Sequence, residues 1–83
     1  MSPNPRGRPV LSNEKLQKWI GARIRELRTA KGISQEDFAD ACGLHRTHIS
    51  LLERGKVNVT VSTLHQITKT LGVSLAKFFA TAA

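Results

Sequence analysis

The order of apolar and polar residues along the chain predicts short amphipathic helices separated by glycines. Four apolar residues of the first segment recur at helical spacing, namely Leu16, Ile20, Ile24 and Leu27. Ser12 or Asn13 can cap a helix there, and Gly32 follows its end. We therefore expect a first helix over residues of about 14–31.

The same pattern predicts further helices, with approximate bounds 35–42, 46–54, 61–71 and 75–80. Ser34, Thr60 and Ser74 stand where N-caps of three of them are expected. Gly43 supplies a tight turn between the second and third helices, which is the layout of a helix-turn-helix. The sequence thus indicates an all-α domain over residues 13–83, preceded by an arm over residues 1–12.

The third predicted helix has an outer face that carries hydrogen-bond donors and no acidic residue. Leu44, Ile49 and Leu52 can share the inward side. The outward residues are then Arg46, Thr47, His48, Ser50 and Leu51. We interpret this helix as one that reads DNA.

Composition supports a polyanionic partner. The 83 residues carry a formal net charge of +7, with a pI near 10.6. This balance favours nucleic acid and, less strongly, an acidic membrane surface. A domain of this size is only marginally stable alone, so dimerisation would help it.

Cys42 is the only cysteine, which excludes a disulfide within the chain and a cysteine-rich metal cluster. We expect it to be a small core residue in a reducing, cytoplasmic setting. The chain contains neither an apolar run long enough to cross a membrane nor the apolar core of a signal peptide.

The arm contains all three prolines, and its segment Pro5 to Pro9 resembles the core of an AT-hook. In that motif, arginines flanking a glycine lie in a narrow A·T-rich minor groove, where the negative potential is strong. Arg6 and Arg8 would occupy the groove here. The alternative is a solvated basic tail that is attracted only loosely to phosphate.

Several segments in register resemble the Cro and phage-repressor (XRE) family of helix-turn-helix regulators. The residues that carry the resemblance are Ile33 to Ala39, Gly43-Leu44, Ile49-Ser50, Leu52 to Gly55, Thr63-Leu64, Ile67 and Leu71 to Leu75. Arg46-Thr47, with Asn58-Val59-Thr60 after the recognition helix, also resembles the controller proteins of restriction-modification systems. The resemblance implies a five-helix, lambda-repressor-like DNA-binding domain.

The resemblance also implies a role for individual residues. Those expected to read base edges are Arg46, Thr47 and Leu51. Those expected to hold phosphates are Gln35, His48, Ser50, Arg54, Lys56 and Asn58. For Gln35 the alternative is a solvated helix start, and for Asn58 a turn residue that satisfies its own backbone.

The same resemblance also implies an ion pair and a dimer interface. Arg28 and Glu53 match an ion pair that fixes the orientation of the recognition helix. The family builds two-fold dimers from the C-terminal end of the fold, where Val73, Leu75 and Phe79 are available for a partner subunit. We interpret Trp19 as a packing residue rather than a platform for stacking bases.

Other functions find little support in the residues. His45 and His48 could suggest zinc, but two ligands without a Cys or carboxylate partner make a poor site. We expect no enzyme activity, cofactor or small-molecule effector. The hypothesis is a homodimeric DNA-binding regulator, and the alternative is an antitoxin-like module that neutralises a protein partner and also binds its own promoter.

Overall fold

The computed structural model describes residues 13–80, and these contain five α-helices. The helices are α1 (Asn13–Ala30), α2 (Gln35–Cys42), α3 (Arg46–Glu53), α4 (Val61–Leu71) and α5 (Leu75–Phe79). No strand occurs in this part of the chain. The predicted all-α class with five helices is therefore confirmed, whereas the arm with Arg6 and Arg8 lies outside the described residues.

Side-chain caps explain where three of the helices begin. The hydroxyl oxygens of Ser34, Thr60 and Ser74 each accept a hydrogen bond of 3.0 Å from the backbone N–H three residues later. His45 stands at the N-cap of α3, and its side chain makes no capping hydrogen bond. Helix α3 therefore depends on tertiary contacts more than α2 and α4 do.

The turn between α2 and α3 has the geometry that a glycine allows. Gly43 has φ of 73°, in the left-handed region, and ends α2. The backbone N–H of Leu44 then donates to the carbonyl of Ala39 at 2.9 Å, which closes the turn. As a result, only three residues, Gly43 to His45, separate the end of α2 from the start of α3.

One core joins all five helices, and α1 and α3 form its central contact. Its buried apolar residues are Ile20, Ile24, Phe38, Ala39, Cys42, Ile49, Leu52, Leu64, Ile67, Leu71 and Phe78. Leu16 belongs to the same stripe of α1 but is 40% exposed. It lies in the first turns of α1, at the edge of the core.

Helices α1 and α3 approach each other at a glycine. A Cβ atom placed on Gly21 would lie 2.2 Å from the carbonyl oxygen of Leu52. Similarly, a Cβ on Gly55, just after α3, would lie 2.8 Å from the Cα of Lys18. The two glycines therefore allow backbone-to-backbone packing that fixes α1 against the end of α3.

Trp19 packs against the C-terminal helix. Its ring stacks on Phe79 with centroids 5.6 Å apart and meets Phe78 edge to face at 6.0 Å. The guanidinium of Arg23 donates to the backbone carbonyls of Phe78 and Lys77, at 2.8 and 3.1 Å. These contacts hold the short helix α5 on α1. None of the described helices is both long and apolar enough to span a membrane.

Candidate nucleic-acid interface

Helix α3 presents the face that the sequence pattern assigns to DNA. Arg46 and Thr47 are exposed, and His48, Ser50 and Leu51 are half-buried. The opposite side is buried through Ile49, Leu52 and Glu53. A short helix with one side fixed in the core thus offers guanidinium, hydroxyl, imidazole and methyl groups on the other.

A buried ion pair anchors the C-terminal end of α3. Arg28 donates through Nε to Glu53 Oε2 at 2.6 Å and through Nη2 to Oε1 at 3.0 Å. Its third nitrogen donates to the carbonyl of Ile33 at 2.7 Å. Each of the two charged residues is only 8% exposed. The arrangement is a bidentate pair with fixed geometry, and it ties α1 to α3.

Arg28 and Glu53 neutralise each other's charge. The Glu53 carboxylate accepts hydrogen bonds from the guanidinium and thereby raises the pKa of Arg28 above its usual value, although burial acts in the opposite direction. The ion pair therefore favours the cationic form of Arg28. Glu53, the one acidic residue between positions 46 and 60, faces inward and adds no acid to the outer surface.

Gln35 contributes to the same cluster. Its Nε2 atom donates to Glu53 Oε1 at 2.9 Å, so the start of α2 is joined to the end of α3. The sequence indicated a phosphate contact for Gln35 and gave no sign of this second connection, because the two residues are 18 positions apart. Among residues 13–80, one N–H of this side-chain amide and its oxygen have no further partner.

The segment between α3 and α4 continues the cationic surface. Arg54 and Lys56 are exposed, and within residues 13–80 neither forms an ion pair. Val57 and Val59 pack against the core and hold the segment in place. Asn58, exposed between them, accepts a hydrogen bond from Gln17 of α1 at 2.5 Å. This contact between distant parts of the chain was also absent from the sequence prediction.

The described residues offer little for metal or thiol chemistry. Nowhere in residues 13–80 do three His, Cys, Asp or Glu side chains form a group that could hold a metal ion, including the region of His45 and His48. Cys42 is buried, and burial raises the pKa of its thiol. The thiol is therefore protonated at neutral pH and is a core residue.

The C-terminal end of the fold exposes apolar surface. Leu75 is 36% exposed and Phe79 is 37% exposed even though Phe79 stacks on Trp19. A shallow groove beside Leu75 is lined by Val73 and by residues of α4. Val73 itself is half-buried against the core. Of the three residues expected at a dimer interface, Val73 and Leu75 thus line one groove near the α4–α5 turn, whereas Phe79 lies against Trp19 of α1.

The sequence that forms α2 and α3 matches a known protein family. A helix-turn-helix family model, HTH_3, matches residues 24–78, which include the α2–α3 turn, α3 and the buried ion pair. The chain belongs to this helix-turn-helix family. Members include transcription regulators and restriction-modification controller proteins, so both the family resemblance and its finer likeness to the controllers are confirmed.

Three relatives illustrate the similarity. Control protein C.BamHI of Bacillus amyloliquefaciens is 46% identical over 55 residues, which are 65% of this chain and 68% of that protein. The controller protein C.AhdI of Aeromonas hydrophila has a TM-score of 0.78 at 35% identity, covering 82% of this chain and 99% of that one. The controller C.Esp1396I, solved as a nucleoprotein complex, has a TM-score of 0.73 at 40% identity, covering 78% and 84%.

Proposed function

We propose that the protein is a homodimeric, sequence-specific regulator of transcription that binds double-stranded DNA at a two-fold symmetric operator. The observation that carries this proposal is the outer face of α3, which is partly exposed and free of acidic side chains while the other side is fixed in the core. Helices presented in this way enter the major groove, where base edges are accessible. The protein acts on DNA in the cytoplasm.

Three residues of α3 read the bases in this proposal. The guanidinium of Arg46 can donate two hydrogen bonds to O6 and N7 of guanine. Thr47 offers either its hydroxyl or its methyl group, and Leu51 offers apolar contact to a thymine methyl. The exposure of Arg46 and Thr47, at the first two positions of α3, supports their assignment.

A ring of donors around α3 holds the phosphate backbone and fixes the helix in the groove. These residues are Gln35, His48, Ser50, Arg54, Lys56 and Asn58. Arg54 and Lys56 release counterions when they neutralise phosphates, so their contribution falls as salt rises. Arg6 and Arg8 extend the contact into an adjacent A·T-rich minor groove in the same proposal, as opposed to forming only a solvated tail.

Two copies of the chain pair through the apolar end formed by Val73, Leu75 and Phe79. A two-fold dimer of this kind sets two recognition helices about 34 Å apart on one face of the duplex. Occupancy of the operator is then set by protein concentration through dimerisation, without a small-molecule effector.

Arg46→Ala and Thr47→Ala are each expected to lower the preference for operator over random DNA by about 1 to 3 kcal/mol, because each removes a base contact. Lys56→Ala should weaken both complexes equally and make the dependence on salt less steep. The operator is first obtained by selecting bound sequences from a random DNA pool, and affinities are then measured by fluorescence anisotropy. Equal weakening of both complexes by Arg46→Ala would show that Arg46 binds phosphate instead.

Leu75→Gln is expected to shift the protein from dimer to monomer and to raise the concentration needed to fill the operator, because it places an amide in the apolar interface. Val61→Gln is the matched control, since Val61 is 76% exposed and lies outside the proposed interface. Sedimentation velocity gives the oligomeric state. An operator titration that stays the same above and below the dimer dissociation concentration would contradict the dimer model.

A further inference from the structure

The hydrogen bond between Gln17 and Asn58 connects α1 to the segment after the recognition helix. Gln17 Nε2 donates to Asn58 Oδ1 at 2.5 Å, and the two residues are 41 positions apart. Both lie at the molecular surface, so this bond contributes little to the stability of the fold. Its effect is instead on the orientation of the Asn58 side chain.

An asparagine amide has two chemically different ends. Its oxygen accepts hydrogen bonds and its NH2 group donates them, whereas a DNA phosphate only accepts. The N–H group of Gln17 occupies the oxygen of Asn58, which leaves both N–H donors of Asn58 on the other side of the amide. The end of the amide that remains available is therefore the end that can donate to a phosphate.

The hydrogen-bonded residues Gln17 and Asn58 lie beside a closely packed, cationic part of the surface. Gly55 packs against the backbone of Lys18, so the residue after Gln17 lies beside the turn that leads to Lys56 and Asn58. The side chains of Lys18 and Lys56 are exposed, and within residues 13–80 neither forms an ion pair. Their charges attract a phosphate to this part of the surface.

We propose that Gln17 is a positioning residue for DNA binding, because its hydrogen bond to Asn58 holds the Asn58 NH2 group toward the phosphate backbone. This role rests on the proposed function. It makes the first turns of α1 part of the nucleic-acid interface, although they precede the helix-turn-helix. Gln17 acts through Asn58 and need not touch DNA itself.

Gln17→Ala should weaken binding to a mixed-sequence DNA duplex by about threefold to tenfold, because the Asn58 amide can then rotate away from the phosphate. Asn58→Ala should weaken binding at least as much, and adding Gln17→Ala to it should cause no further loss. The slope of affinity against salt should be unchanged in all three, because no cation is removed. Gln66→Ala, at an exposed glutamine of α4, is the control and should bind like the original protein.

Asn58→Asp separates positioning from fold stability. The carboxylate can still accept the hydrogen bond from Gln17, so the midpoint of urea unfolding should change little, yet it offers no donor and repels phosphate. Binding should therefore fall below that of Asn58→Ala. Retained binding by Asn58→Asp would overturn the proposal.

Two other results would also overturn the role of Gln17. One is an unchanged affinity in Gln17→Ala, and the other is an equal loss from Gln17→Ala with and without Asn58→Ala. If Lys56→Ala still weakens binding in the same assay, the DNA-binding function stands and only the role of Gln17 fails. If the original protein does not bind the duplex, both proposals fail together.

Discussion

Glu53→Ala is expected to lower the free energy of unfolding by about 3 to 5 kcal/mol, because it leaves the Arg28 guanidinium buried without its counter-charge. The pair has two hydrogen bonds, of 2.6 and 3.0 Å, and Gln35 donates to the same carboxylate at 2.9 Å. A small domain has about 5 to 15 kcal/mol of stability in total, so a large share would be lost. Urea unfolding followed by circular dichroism measures the change.

Glu26→Ala is the matched control for this experiment. Glu26 also pairs with an arginine, Arg23, at 3.1 Å, but its side chain is 66% exposed. Exposed pairs contribute about 0 to 1 kcal/mol, so this variant should unfold almost like the original protein. If Glu26→Ala and Glu53→Ala had similar effects, burial of the Arg28–Glu53 pair would not be what makes it important.

Gly21→Ala is the second change with a large expected effect. It should lower the stability of the fold, although alanine is the better helix former. Alanine favours a helix over glycine by about 1 kcal/mol. Here, however, the new methyl group would meet the Leu52 carbonyl oxygen at 2.2 Å and the Glu53 carbonyl oxygen at 2.8 Å. Because backbone atoms cannot move aside like a flexible side chain, we expect a net loss of about 3 kcal/mol, the upper end of the usual cost of overpacking, and weaker DNA binding.

Gly43→Ala separates this steric effect from the general cost of replacing glycine. A Cβ on Gly43 would meet nothing within 4 Å, so only the strain of its φ of 73° opposes alanine. That strain costs about 1 to 2 kcal/mol. Thermal unfolding should therefore rank Gly21→Ala as the more damaging variant. The reverse ranking would mean that α1 and α3 can separate without loss.

The class of the fold could be predicted because its signals are local. The apolar spacing of α1 and the glycine at position 43 specify helices and a turn without knowledge of the tertiary structure. The same spacing failed to show that Leu16 is 40% exposed, because exposure depends on where the neighbouring helices end. Periodicity identifies a face of a helix, while packing decides how much of it is covered.

The candidate site was less accessible to sequence reasoning. The outward face of α3 follows from helical geometry, but the pairing of Arg28 with Glu53 came from the family resemblance. The bonds from Gln35 to Glu53 and from Gln17 to Asn58 had no signal at all in the sequence. Each joins residues far apart in the chain through polar side chains, and polar side chains carry no periodic pattern that would reveal a partner.

The division of α3 into a buried side and an exposed side has a consequence for how such proteins diversify. Ile49, Leu52 and Glu53 fasten the helix, whereas Arg46 and Thr47 are exposed at its start. Under the proposed function, substitutions at the latter two positions should change which DNA sequence is preferred and leave the scaffold intact. If α3 reads the operator as proposed, a gene duplicate of this protein acquires a new target through a few codons of one eight-residue helix.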